Sequence, residues 1–533
     1  MTLVTYLVIL GGFVAGFYVL RRRSTTSSLL LPPGPPPLPI IGNIHQMPKS
    51  HPWRQYFSWS KIYGPIVHLN LSGQPVIILS TSQVAYDILS KQGASSSDRP
   101  RLFLAMELAC KGLNTLLMNY TEEFKRHQRL QISVLNPKMV VSYLPFQELE
   151  SKQLLHDLLV NTGGAGTSIY KYFARTTASL IYTLFVGHRI RNAEDPLLVS
   201  TIKLDEQFFE FAKVGSHIVD LFPVLNNLPD SFAPWKRAAE AFFNQKSTFR
   251  LNNLQQGLDS NAWNISKHWK EAVERDQIDI SRLEMAFGTS TVFDAALDTT
   301  NDTLVWFVIA CITQDQGFVA KARKELDTVV GRERLPTFDD NCKLPYISAI
   351  VEELFRWRPV IPVGVPHVTD KEITYGGYRI PARSIIISNI WAIGREEEVY
   401  GLNTESFVPG RWLNTDESTG VSTLKNLRTP VFGYGRRICP GRHFARNLVW
   451  VIVARLLWAF NIEAGRSAET GEQILVDPIA CTDGLVVGAL PFRASFKPRG
   501  LWAQKLIMEE CDTYGQDIEA MLNQIGKEIN TKS

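Results

Sequence analysis

Apolar residues run almost unbroken from Leu3 to Leu20 with no charge among them, and Arg21, Arg22 and Arg23 follow at once. As a helix this stretch would be ~27 Å long at 1.5 Å per residue, close to the hydrocarbon thickness of a bilayer. A cleaved signal peptide would open on a basic segment and close on a small-residue cleavage site, which this pattern lacks. Residues 1–23 are therefore predicted to be a signal-anchor helix with a basic flank that keeps the rest of the chain on the cytoplasmic side. Next comes Leu31-Pro-Pro-Gly-Pro-Pro-Pro-Leu-Pro-Ile-Ile-Gly-Asn43, where fixed φ angles and missing N–H donors forbid a helix. Residues 24–50 read as a stiff Pro-rich hinge that sets the angle between the anchor and the globular domain.

Beyond residue 50 the patterning is mainly helical. Ile66-Val-His-Leu-Asn-Leu71 and Val76-Ile-Ile-Leu79, parted by Ser72-Gly-Gln-Pro75, predict a β-hairpin, and a second β region spans Ile373 to Ile380 and Ser384 to Trp391. Apolar residues at three- and four-residue intervals predict helices over Gln83 to Ser90, Glu122 to Leu135, Lys152 to Val160, Leu283 to Ile312, Phe318 to Val330, Tyr346 to Trp357 and Arg442 to Phe460. The fold class is mainly α with small β-sheets (α+β), in one large domain over 51–499. Residues 500–533 form a C-terminal extension in which Ile518, Met521, Leu522, Ile525 and Ile529 make a helical stripe expected to pack locally.

Composition narrows the function. With 45% hydrophobic and 20% charged residues the 533-residue chain has a globular make-up. Its 56 Lys plus Arg nearly balance 52 Asp plus Glu, unlike the broad basic field of a nucleic-acid binder. Cys110, Cys311, Cys342, Cys439, Cys481 and Cys511 are scattered, with no C-x-x-C pair and no histidine at zinc spacing. That usage fits a reducing compartment rather than a disulfide framework.

The strongest chemical signal is Phe432-Gly-Tyr-Gly435-Arg-Arg437-Ile-Cys439-Pro-Gly441, which matches F-x-x-G-x-R-x-C-x-G at every fixed position. Here the chain resembles the cytochrome P-450 family. The resemblance implies a heme b cofactor (haem) whose iron takes Cys439 thiolate as axial ligand, a ligand that pushes electron density toward O–O cleavage. Gly435 permits the tight turn that presents the sulfur, and Gly441 lets the following helix approach a flat macrocycle. Arg437 offers a charged donor to a haem propionate, and Phe432 packs beside the sulfur and limits water there. A buried, inert cysteine in a glycine loop is the plainer reading, but it leaves the complete motif unexplained.

Other segments gain meaning from that resemblance. Glu353-Leu-Phe-Arg356 puts acid and base on one helix face, which alone would suggest a surface ion pair. With Phe407-Val-Pro-Gly-Arg411 downstream, it resembles the family network in which Glu353, Arg356 and Arg411 brace the haem loop, although Gly410 stands where the family carries an acid. Ala295-Ala-Leu-Asp298-Thr299-Thr300 resembles the oxygen-activating helix motif, with Ala296 for the usual glycine. Asp298 and Thr299 are then suited to relaying protons to oxygen, against a reading in which Thr299 merely bonds its own helix carbonyls. His367, after Val360-Ile-Pro-Val-Gly-Val-Pro, becomes a candidate propionate contact. Phe124 and Gln128 replace the family's Trp and Arg, with Arg126 or Arg129 as candidate substitutes.

The resemblance covers residues 31–499 and looks most like fungal secondary-metabolism enzymes. It implies a monooxygenase placing one oxygen atom of dioxygen into a lipophilic small molecule, in a cavity drawn from Leu102 to Met118, Phe208 to Phe222, Val360 to Val365 and Gly484 to Val487. Electrons would come from a separate NADPH-cytochrome P-450 reductase, with a microsomal b-type cytochrome as a further donor. The expected location is the endoplasmic reticulum membrane, single-pass, with the catalytic domain cytoplasmic. Oxidative coupling, desaturation or ring rearrangement on the same haem are open alternatives, as is a non-catalytic haem-binding membrane protein, which would have no use for Asp298 and Thr299.

Overall fold

The computed structural model describes residues 29–161, 166–213, 217–413, 430–467, 469–510 and 517–532, so the apolar stretch from Leu3 to Leu20 lies outside the described residues. The proline run over residues 32–37 forms no helix, as its prolines require, but Leu38 and Gly42 close a tight turn by bonding each other's N and O at 3.0 Å, and the segment is tied along the first strand. Pro33 O accepts from His68 N at 2.9 Å, Asn43 N donates to Asn70 O at 2.6 Å, and Asn43 Nδ2 donates to Pro35 O at 2.9 Å.

Helix α1 (Pro52–Tyr63) leads into the predicted hairpin of β1 (Ile66–Leu71) and β2 (Gln74–Leu79), paired antiparallel from Ile66↔Leu79 to Leu71↔Gln74. The helix expected over Gln83 to Ser90 is a single α-turn, Ser82–Tyr86, that widens over Asp87–Lys91. Then come α2 (Glu122–Leu135), α3 (Leu144–Asn161), α4 (Tyr170–Val186), α5 (Pro196–Phe211), α6 (Pro234–Asp259), α7 (Ile265–Arg275), α8 (Arg282–Thr313), α9 (Gly317–Val329) and α10 (Pro345–Trp357). Thr121, Asn264 and Ser281 cap α2, α7 and α8 with side-chain oxygens, satisfying first-turn N–H groups. Helix α8 is long and apolar enough to cross a membrane, yet 67% of its apolar window is buried inside the protein. It is the axis of the main core, crossed by α4 and α6.

The second β region divides into β3 (His367–Val368), β4 (Ile373–Tyr375), β5 (Tyr378–Ile380) and β6 (Ile385–Ser388). Gly376 and Gly377, both at positive φ, turn the expected run from Ile373 to Ile380 back on itself. Trp391 belongs to a helical turn, Ile390–Ile393, which the Asn389 side chain caps at Ala392 N. Strand β6 runs parallel to β2 and antiparallel to β3, giving a four-stranded sheet β1-β2-β6-β3. Helix α11 (Arg442–Ala459) runs straight into β7 (Phe460–Ala464), which pairs with β8 (Arg493–Pro498). The chain closes with α12 (Leu501–Glu510) and α13 (Ile518–Lys532). The predicted stripe on α13 packs inward: Leu522, Ile525 and Ile529 are buried in the main core, Asn523 Oδ1 accepts from Trp263 N at 2.9 Å and Glu528 accepts from Ser142 Oγ at 3.0 Å.

Candidate functional site

Three elements converge on the site: the loop before α11, the middle of α8, and the β3 segment with the chain around Arg99. In the loop, Gly435 has φ +59°, and a Cβ there would fall 2.1 Å from Leu89 O, so the turn requires glycine. Cys439 N donates to Phe432 O at 2.8 Å, which closes the loop. Gly441 is the N-cap of α11, and a Cβ on it would meet nothing nearer than Cys439 Sγ at 3.9 Å. The half-buried thiol therefore stands at the first turn of an 18-residue helix. Burial pushes its pKa up, while the N–H groups of Gly441 and Arg442 and the Arg442 charge pull it down. Phe432 meets Phe355 of α10 edge-on at 5.2 Å.

Arg437 crosses to the opposite wall, where Nε donates to Ser97 O at 2.8 Å and Nη2 to Met118 O. Its guanidinium lies 3.7 Å from the Phe124 ring centroid. A second guanidinium, which no sequence motif marks, stands beside it. Arg99 is buried, with Nη1 donating to Val365 O and Pro366 O, both at 2.8 Å, and Nε to Leu116 O at 3.1 Å. Burial and the neighbouring Arg437 charge press the Arg99 pKa well down, and burial brings that of Arg437 to about 10. Arg437 Nη1 and Arg99 Nη2 have no acceptor among the described residues. His367 completes the cluster, its Nδ1 2.7 Å from Ser96 O, and burial, then Arg99 and Arg437, hold its pKa well below the usual value. Since Ser96 O can only accept, Nδ1 carries the proton. A buried and a part-buried guanidinium with spare donors, and a histidine, suit a ligand that brings carboxylates. Gln128 donates to Arg436 O at 2.9 Å, supporting the cysteine loop.

On α8 the residues at 295, 296, 298, 299 and 302 are accessible while Phe293, Asp294, Leu297, Thr300 and Asn301 are buried, so one stripe of an internal helix opens onto a space. Thr299 Oγ1 donates to Ala295 O at 2.6 Å, bonding its own helix. Asp298 accepts from Tyr170 Oη at 3.1 Å. Burial raises its pKa to about 6, against the pull of that hydrogen bond and with a push from Asp294 and Glu206. One turn on, burial and the Asp298 charge bring Asp302 to about 7. Tyr170 carried no sequence signal, because its partner lies far along the chain.

Two pairs of the segments expected to line a cavity meet. Leu104 N donates to Asp220 Oδ1 at 2.8 Å, Phe103 and Leu104 share a cluster with Phe208 and Val219, and Val487 N donates to Val360 O at 2.8 Å. Behind them, Lys246 and Arg250 of α6 hold Asp294 of α8 at 2.8 and 2.5 Å. Asp205 of α5 lies beside them, its pKa driven well up by burial and then by Asp294.

Glu353 and Arg356 form a buried bidentate pair at 2.8 Å for both bonds. Arg356 also donates to Gly394 O, Thr404 O and Ser406 O, and Arg411 Nε reaches Glu353 at 3.1 Å. Trp412, which the motif did not flag, donates to Glu353 at 2.9 Å. With Gly410 in place of an acid, Arg411 is held by the carbonyls of Tyr400 and Asn403.

The family model described as Cytochrome P450 matches residues 32–476. Similar curated proteins include Cytochrome P450 monooxygenase peniB of Penicillium patulum, 35% identical over 481 residues that cover 90% of this chain and 87% of that one. Cytochrome P450 monooxygenase aneD of Aspergillus aculeatus is 35% identical over 492 residues, 92% of each chain. The Echilunin cytochrome P450 monooxygenase of Aspergillus ruber is 34% identical over 500 residues, 92% of this chain and 89% of that protein.

Proposed function

Because this chain belongs to the cytochrome P450 family and is a monooxygenase of that family, we propose that it holds a haem b through Cys439 and oxygenates a lipophilic small molecule in a fungal secondary-metabolite pathway. The observation that carries this reading is the Cys439 thiol, presented by a glycine turn at a helix N-terminus two residues after Arg437, which joins Arg99 in a pair of desolvated arginines with unfilled donors. A haem-thiolate iron supplies dioxygen activation driven by electrons delivered one at a time. Every other task falls to the chain. Cys439 provides the sulfur, with the first-turn N–H groups of α11 favouring its thiolate. Arg99 and Arg437 pair with the propionates, and His367 joins them once it takes up a proton. The apolar walls from Phe103, Phe208, Val360 and Val487 exclude water and receive an apolar substrate. NADPH-cytochrome P-450 reductase is the proposed electron donor, with a b-type cytochrome as auxiliary.

We further place the protein on the endoplasmic reticulum membrane through residues 3–20, with the catalytic domain cytoplasmic. Ile218, Phe222, Val224 and Phe232, each more than half exposed, support a second apolar contact with that surface.

Arg99→Ala should loosen haem without unfolding the chain. A charge-assisted contact contributes about 1.5–3 kcal/mol, so haem transfer to an acceptor globin should speed up roughly tenfold to a hundredfold. An unchanged transfer rate would remove Arg99 from the propionate site.

The proton relay is tested at Thr299. If its hydroxyl does no more than bond Ala295 O, Thr299→Ala should leave turnover intact. If it swings from that bond to pass a proton on, with Asp298 held ready by Tyr170, the variant should still bind haem and substrate and still consume NADPH. Product per NADPH should then fall about tenfold or more, with peroxide making up the difference. Unaltered coupling would reject the relay.

A further inference from the structure

We propose that Glu123, His127 and Glu284 form a binding site for a divalent transition-metal ion, with zinc as the test ion, where α2 meets the first turn of α8. Glu123 and His127 are four residues apart on α2 and share a face. Glu284 is the third residue of α8 and belongs to its capping box, accepting from Ser281 N through Oε2 at 2.7 Å. That bond fixes the side chain and leaves Oε1 facing His127 Nε2 at 4.0 Å.

His127 is only 2% exposed, and its Nε2 is buried with no hydrogen-bond partner. Orphaned buried ring nitrogens are uncommon, and 4.0 Å is too long for Glu284 to satisfy this one directly. One ligand atom from each of Glu123, His127 and Glu284 lies within 4.8 Å of the others. Zinc bonds nitrogen and carboxylate oxygen at about 2.0–2.2 Å in a tetrahedron, so its ligand atoms stand about 3.4 Å apart. The His127–Glu284 pair, at 4.0 Å, has to draw in by about 0.6 Å, and the Glu123 side chain closes the rest by rotamer.

One imidazole with two carboxylates and no thiolate suits a borderline divalent ion, with water in the open position. Arg126 acts electrostatically on both His127 and Glu284 and opposes a cation there. The ion would clamp α2 to α8 next to Phe124 and Gln128, which meet Arg437 and Arg436 of the cysteine loop.

The test needs no catalytic activity and is independent of the haem assignment. The full-length protein as purified is treated with EDTA, dialysed, and titrated with zinc against a chromophoric chelator, alongside Glu123→Gln, Glu284→Gln and Arg126→Gln. Glutamine at 284 keeps the capping box, so loss of binding there is not loss of the helix end. We expect one zinc per chain, weakened about tenfold or more by either glutamate change and tightened by Arg126→Gln. Equal affinity in the wild type and both glutamate variants, or no zinc bound at micromolar free ion, would overturn the site.

Discussion

Replacing Cys439 by alanine is expected to abolish the thiolate-type spectrum of the reduced carbon monoxide complex completely. No other described cysteine can stand in. Cys110 and Cys311 are buried in apolar clusters, where burial drives both thiols up, Cys110 to about 11. Cys342 is exposed on a short 3-10 turn, and Cys481 sits beside Arg54 at 3.7 Å, outside any helix. None combines a glycine turn with a helix N-terminus, whose N–H groups and Arg442 charge act at Cys439 against the burial that raises its thiol too. The loop should survive the change, because its closing bond is made by the Cys439 backbone N–H to Phe432 O. A difference spectrum that keeps the thiolate band in the variant would sink the assignment.

Glu353→Ala should be the most damaging substitution away from the sulfur. Glu353 accepts from Arg356 twice, from Arg411, from Trp412 and from Val408 N. Its removal leaves the Arg356 guanidinium, itself 1% exposed, facing carbonyls with no carboxylate. Breaking one side of a buried pair typically costs about 3–5 kcal/mol, a large part of the about 5–15 kcal/mol that holds a protein folded. The yield of folded, haem-loaded protein should collapse. Glu352→Ala, on the same helix, is the control, because its ion pair with Arg446 is partly open to solvent and such pairs contribute about 0–1 kcal/mol. Equal thermal stability of the two variants would show that the Glu353 network is not a brace.

The two residues also show what a sequence can and cannot disclose. Helices α2, α8, α9 and α10 are legible because each keeps an apolar stripe at helical spacing. Helix α4 is not, because Tyr172 to Val186 are buried on every side and no polar face marks its period. The Glu353–Arg356 pair is visible as spacing, but its burial is legible only through the family motif, since identical spacing describes countless surface pairs. Arg99 gives no local signal at all: its role arises when folding brings residues 99, 367 and 437 together. Gln128 is legible as a departure, and only the structure gives its occupation, the bond to Arg436 O. For Thr299 the residue is legible and the direction of its hydroxyl is not, because a helix offers every threonine its own carbonyls.

The inward packing of α13 bears on the timing of synthesis. Ser142 and Trp263 bond Glu528 and Asn523, and the main core takes in Leu522, Ile525 and Ile529, all of which leave the ribosome long after Ser142 and Trp263. Until residues 518–532 have been translated, the growing polypeptide carries that surface of the core bare, and nascent chains with exposed apolar surface are the ones that aggregate. Ribosomal stalling before residue 518 would therefore release a sticky product rather than a working enzyme.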